Sequence, residues 1–161
     1  MFLNYAYTAL GEGIFMTDNL SKENRIKNMR AIKSQSKLEN RVSRALWNKG
    51  ARFRKNDRSL YGIPDISIKK YKLVIFIDSC FWHMCPVHGN LPKSNEQFWK
   101  EKLYRNVERD IEVTLHYLEA GWNIIRIWEH DLKKDFEITI EKIYSFIMQE
   151  KSKKTDKMLK N

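Results

Sequence analysis

The sequence predicts an α/β domain, a mixed sheet with helices on its faces. Two observations predict it. "YKLVIFID", residues 71–78, is a continuous β-branched and aromatic run, the signature of a buried central strand. Around it the pattern alternates in the order α-β-β-β-α-β-α, with no internal repeat and no internal linker. A chain of 161 residues suits one domain with a real core, and 42% hydrophobic content is that of a globular chain.

The elements follow in order. "SKLENRVSRALWNKG", residues 36–50, reads as a helix: Ser36 and Glu39 match a capping box, and Gly50 supplies a stop. Its apolar stripe is Leu38, Val42, Ala45 and Leu46. "ARFRKN" predicts a short strand followed by a turn-rich loop, and "PDISIKK" a second strand carrying Ile66 and Ile68. After the central strand, residues 95–120 turn helical. Phe98, Leu103, Val107, Ile111, Leu115 and Leu118 form the expected apolar face, and Gly121 closes the helix. "WNIIRIW" predicts another buried strand, and "FEITIEKIYSFIMQE" a last amphipathic helix. Residues 1–16 read as an extension outside the fold, residues 17–150 as the domain, and residues 151–161 as a frayed basic tail.

Charge narrows the partner. Lys and Arg number 30 against 20 acids, a net +10 that favours an anion, either nucleic acid or an anionic membrane surface. No apolar run approaches the roughly 20 residues of a spanning helix. The opening "MFLNYAYTALGEGIFM" lacks a basic start and is broken by Asn4 and "GEG", so it makes a poor signal peptide. With two cysteines and no export signal, a reducing cytoplasm is expected.

Four constellations carry chemistry. Cys80, Cys85 and His88 are soft or borderline ligands close in sequence, a spacing that suits one Zn²⁺. A fourth ligand must come from afar. His130, in "WEHDL" after the next strand, is the best candidate if the two strands run parallel, with His116 its competitor on the preceding helix. The second constellation is Asp65, in a Pro-Asp pair opening one strand, with Asp78 ending the next. It resembles the PD-(D/E)xK nuclease arrangement, in which carboxylates on neighbouring strands hold Mg²⁺ against a scissile phosphate. The lysine of that pattern is missing, and His83 can replace it as the group that handles protons. Third, Phe81, Trp82 and Trp99 flank this region, either as core or as a wedge between DNA bases. Trp99, Asn106 and Asp110 share one face of a helix, which reads as a working surface or as a solvated flank.

Taken together, "KNMRAI", "PD", "VIFIDSCFWHMCPVHG", "LPKSNEQFW", "NVERD" and "GWNIIRIWEHDL" resemble, in this order, the very-short-patch repair (Vsr) endonucleases of bacteria, over roughly residues 27–132. The resemblance implies a restriction-endonuclease-like fold with a structural zinc. It implies Mg²⁺-dependent nicking of double-stranded DNA on the 5′ side of the thymine in a T:G mismatch, the product of 5-methylcytosine deamination. It also implies a functional link to a DNA cytosine-5 methyltransferase and a place on the bacterial nucleoid; a monomer is expected. By matched position, Asp65 and the Ile77 carbonyl are the implied Mg²⁺ ligands, and His83 the implied catalytic histidine. Glu39 and Asp110 are the implied acids near the metal waters or the histidine. Phe81, Trp82 and Trp99 are the implied intercalating aromatics, Met29 enters from the minor groove, and Lys102 and Asn106 contact the mismatched bases. Cys80, Cys85, His88 and His130 are the implied zinc ligands. The chain departs from the better-known pattern at Asp78, where members carry His, and at Ser79, often Gly; Asp78 then either binds Mg²⁺ or weakens proton handling. Two other functions remain open: a restriction endonuclease of the same fold, which would cut matched duplex, and a zinc-stabilised DNA-binding module, which would not cut.

Overall fold

The computed structural model describes residues 37–159, together with Ser21 and Glu23. Met29, the proposed extension 1–16 and the Ser36 half of the capping box lie outside the described residues.

Helix α1 spans Lys37–Asn48 and buries Val42, Ser43 and Leu46. It stops where expected: Gly50 adopts φ +90°, its N–H bonds the Trp47 carbonyl at 2.9 Å, and the Ala51 N–H returns to Leu46 at 3.0 Å. That left-handed cap is cheap only for glycine. Four strands follow, β1 (Arg54–Lys55), β2 (Ile66–Ile68), β3 (Leu73–Asp78) and β4 (Asn123–Trp128), in the spatial order β1-β2-β3-β4. The first two pairings are antiparallel and β3–β4 is parallel. Helix α2, Glu96–Glu119, makes the crossover between β3 and β4. A short α3 (Glu129–Lys134) and a long α4 (Phe136–Leu159) complete the chain.

The pleat of β3 divides the interior. Leu73 and Ile75 join Ile66, Ile68 and Ile127 in a core closed by Val42 and Leu46 of α1 and by Ile140, Ile143 and Ile147 of α4. Val74 and Phe76 turn the other way, onto Val113 and Tyr117 of α2. The sheet is therefore sandwiched between α1 with α4 on one side and α2 on the other, and Asp78 belongs to the α2 side.

Five expectations change. The face α2 turns inward is not the expected apolar stripe. Leu103, Val113 and Tyr117 are buried there, and Trp99, Asn106 and Asp110 lie between them at steps of three and four. Phe98, Ile111, Leu115 and Leu118 face out. The physical reason is that the polar residues find partners inside. Asn106 donates to the Trp82 carbonyl at 3.0 Å, and Asp110 meets His83 and Arg126. Strand β1 is only two residues long, because Asp57 ends the pairing: it accepts from the Ser59 N–H at 3.1 Å and from the Ser59 and Ser67 hydroxyls at 2.6 and 3.1 Å. Strand β4 is half-buried apart from Ile127, as befits an edge. The short α3 was not expected. Finally, α4 runs on through the basic segment to Leu159, where a frayed end was expected. That segment holds no Gly or Pro, and its Lys153 pairs with the buried Glu150 at 2.6 Å.

Candidate functional site

The chain leaves β3 at Asp78 and folds into a tight series of turns. The Cys85 N–H returns to the Cys80 carbonyl at 2.9 Å, and the His83 N–H to Ser79 at 3.1 Å. Gly89 closes the loop with its N–H 2.6 Å from the Cys85 carbonyl, where a Cβ would sit 2.6 Å from that oxygen. Because β3 and β4 are parallel, with Asp78 beside Trp128, the first turn of α3 comes up next to this loop. His130 is thereby brought to both cysteines, 3.3 Å from Cys80 Sγ and 3.4 Å from Cys85 Sγ, and His88 Nδ1 lies 3.8 Å from Cys85 Sγ. The four ligand atoms all lie within 4.8 Å of one another, a group able to hold one metal ion, and both cysteines are free thiols. His116 is elsewhere, packed on Tyr61 at 4.8 Å, and is not part of this group. Glu129 braces the loop from α3: it accepts from the Cys80 N–H at 3.4 Å and pairs with Lys133 at 2.5 Å.

At the same sheet end lie the acids and His83. Asp65 is half-buried at the start of β2, and its Oδ2 accepts the Ile77 N–H at 2.7 Å. Burial pushes its carboxyl up to about 7 against the pull of that N–H, and the charges of Glu39 and Asp78 push in the same direction. Glu39 of α1 thus lies close enough to act on Asp65. A desolvated carboxyl beside the charge of Glu39 is an oxygen donor that a hard divalent cation would suit, whereas the charge of Asp78 is already met by Arg126.

His83 points its Nδ1 at Asp110 Oδ2, 2.5 Å away; Asp78 Oδ1 is the second carboxylate oxygen near it, at 3.8 Å. Burial by itself would raise the Asp110 carboxyl. The hydrogen bond from His83 and the charge of Arg126 outweigh it and hold Asp110 below the ordinary carboxylate range. Asp78, the departure from the better-known pattern, is buried and forms a bidentate pair with Arg126, Nε to Oδ2 at 2.6 Å and Nη2 to Oδ1 at 2.7 Å. Arg126 is the site residue that sequence reading missed. The available signal was a lone charge in the apolar strand "NIIRIW", since even a half-buried arginine there needs carboxylate partners.

The aromatics form one wall beside this end of the sheet. Ring centroids lie 5.0 Å apart for Phe81–Trp82, 5.5 Å for Phe81–Trp99 and 5.9 Å for Trp82–Trp99. Phe81, Trp82 and Trp99 are half-buried, and the more exposed Phe98 extends the wall from Trp99 at 5.5 Å. The Lys102 ammonium sits 5.1 Å over Trp82 and 5.6 Å over Trp99, which places a cation on the aromatic surface. Asn106, through its bond to the Trp82 carbonyl, ties the wall to α2.

A family model described as "DNA mismatch endonuclease Vsr" matches residues 17–88. The chain is 40% identical over 129 residues to a protein named type II nicking enzyme V.NmeDIP of Neisseria meningitidis serogroup C, covering 78% of this chain and 87% of that one. It is 43% identical over 117 residues to type II nicking enzyme V.NaeI of Lentzea aerocolonigenes, covering 69% and 70% respectively. It is 38% identical over 128 residues to DNA mismatch endonuclease Vsr of Escherichia coli K12, covering 78% and 82%.

Proposed function

Because the chain belongs to the family of the DNA mismatch endonuclease Vsr, and is thus a DNA endonuclease, we propose that it nicks double-stranded DNA 5′ of the thymine in a T:G mismatch, in Mg²⁺-dependent mismatch repair. The observation that carries this reading is the convergence at one sheet end. His83 and Asp110 meet there, with Asp65 near enough to feel the charge of His83, beside the wall of Phe81, Trp82 and Trp99. A wall of rings is useful where bases must be unstacked, and a mispaired step is the cheapest to unstack.

Asp65 and the Ile77 carbonyl would hold Mg²⁺, which supplies charge against phosphate and lowers the pKa of a bound water. The chain's own groups do the rest. Asp110 accepts the Nδ1–H of His83 and so presents Nε2 to the scissile phosphate, where it can take or give a proton. Glu39 adds negative charge beside Asp65. Lys102 and Asn106 stand at the aromatic wall, where the mispaired bases would come. Cys80, Cys85, His88 and His130 would hold Zn²⁺. What supports that ion is the donor set, two thiols and two imidazoles at separations close to the about 3.5 Å between S and N ligands of a tetrahedral Zn²⁺. With four protein donors no position is left for substrate, so this ion would brace the loop that carries His83.

The deciding experiment is a nicking assay on duplexes with T:G set in several methyltransferase target sequences, with Mg²⁺ and with EDTA. The expected result is a single nick 5′ of the mispaired thymine, abolished by EDTA. Cleavage of both strands of matched duplex would make the chain a restriction enzyme. Binding without cleavage in every condition would make it a DNA-binding module.

A further inference from the structure

Two carboxylates compete for one imidazole at the proposed active site. His83 Nδ1 lies 2.5 Å from Asp110 and 3.8 Å from Asp78. One cation separates them. Arg126 bonds both oxygens of Asp78, at 2.6 and 2.7 Å, and its Nη2 also reaches Asp110 Oδ1 at 2.8 Å. Its Nη1 lies 3.4 Å from the Asp110 carbonyl. The sheet itself aims the guanidinium: Arg126 pairs with Phe76 across the parallel ladder, on the same face as Asp78, and its head sits 5.0 Å over the Phe76 ring.

We propose that Arg126 is a positioning residue of the nicking reaction: it holds Asp78 for itself and fixes Asp110 so that Asp110, not Asp78, orients His83. The inference rests on the function proposed above. Asp110 is held at three points: Oδ1 by Arg126, Oδ2 by His83, and its main-chain carbonyl by Arg126 and the Thr114 hydroxyl. A carboxylate fixed in this way cannot rotate, and its free oxygen stays on Nδ1. Asp78, with both oxygens on the guanidinium, is withdrawn from Nδ1 and from any cation at Asp65. A lysine would neutralise charge but could not fork between two carboxylates in one plane.

The test compares wild type with Arg126→Met, Arg126→Lys and the pair Asp78→Asn/Arg126→Met. Four quantities are measured: single-turnover nicking of a T:G duplex, its Kd, the thermal midpoint, and the downfield proton resonance of the His83 ring N–H. That resonance is assigned by its absence in His83→Gln. Arg126→Met strands Asp78 as a buried charge and should lose both midpoint and rate. The paired variant removes that charge, so the midpoint should return. Its rate should remain at least about 10-fold low with Kd within about twofold, because Asp110 has lost its clamp. Its His83 resonance should broaden or vanish, and Arg126→Lys should nick at an intermediate rate. If the paired variant regains rate, resonance and midpoint together, Arg126 is only the counter-ion of Asp78 and the proposal falls. It falls equally if Kd weakens as much as the rate, which would make Arg126 a DNA contact. A wild-type chain that nicks no duplex would sink the proposed function instead, while the resonance would still report whether Arg126 holds the His83–Asp110 bond.

Discussion

Asp57 and Asp65 carry the same side chain in opposite environments. Asp57 accepts from Ser59 by hydroxyl and by N–H, and from Ser67, with Lys69 at 3.2 Å, so its carboxyl is held well below the ordinary range. A lowered folded-state pKa means stability that is fully present above the unfolded value, near 3.8, and is lost as the pH falls from there toward the lower folded-state value. Asp57→Asn should therefore destabilise the protein at neutral pH and flatten the loss of stability below about pH 4. Urea melts at pH 3 and pH 7 check this, and a difference between the two pH values that the substitution leaves undiminished would refute it. Asp65 is pushed the other way by burial, which its one amide donor, the Ile77 N–H, does not offset. Asp65→Asn should abolish nicking while sparing mismatch binding, even tightening it by removing charge that repels phosphate. His83→Ala should slow nicking by about 10²–10⁴-fold. Normal turnover in either variant would place the chemistry elsewhere.

At the scale of elements, α2 is decisive because it has two plausible apolar faces. Leu103 is fully buried and Leu118 is about half exposed. Leu103→Ala should cost about 2–5 kcal/mol, whereas Leu118→Ala should stay within about 0.5–1 kcal/mol. Equal costs in thermal or urea unfolding would mean that the helix is rotated from the position described here. The loop after β3 depends on a different force. Cys85 is its one fully buried residue, and a metal held by the Cys–His quartet would brace the loop. Protein purified without added metal should carry about one Zn per chain by elemental analysis. Cys85→Ser should lose the zinc and the solubility together, and a soluble, zinc-free, fully active variant would dismiss the structural role.

Across the whole molecule, binding separates into two physical parts. The net charge of +10 attracts phosphate without reading sequence and weakens with salt. The wall of Phe81, Trp82 and Trp99 is local and would act only where bases unstack. Trp82→Ala should narrow the affinity gap between T:G and matched duplex and leave the salt dependence of non-specific binding nearly unchanged. Tryptophan fluorescence should be quenched on binding T:G duplex. Equal weakening for both duplexes, or a melted protein, would make Trp82 core or general contact surface.

The central strand, the flanking helices and the gathering of Cys80, Cys85, His88 and His130 were legible in the sequence. A strand as apolar as "LVIFI" has one place to go, and thiols and imidazoles at short spacing have few other uses. His130 could be matched to Cys80 and Cys85 because parallel strands end on the same side. The inward face of α2 was not legible. Periodicity scores apolar residues, and this helix turns the half-buried Asn106 and Asp110 onto partners on a loop and on β4, far away in sequence. Nor was the role of Arg126, for which hydropathy offers only an exception in an apolar strand. A buried charge is stable only when its partners surround it. Which carboxylates those are depends on sheet register and helix rotation, and these are properties of the packed chain rather than of any segment within it.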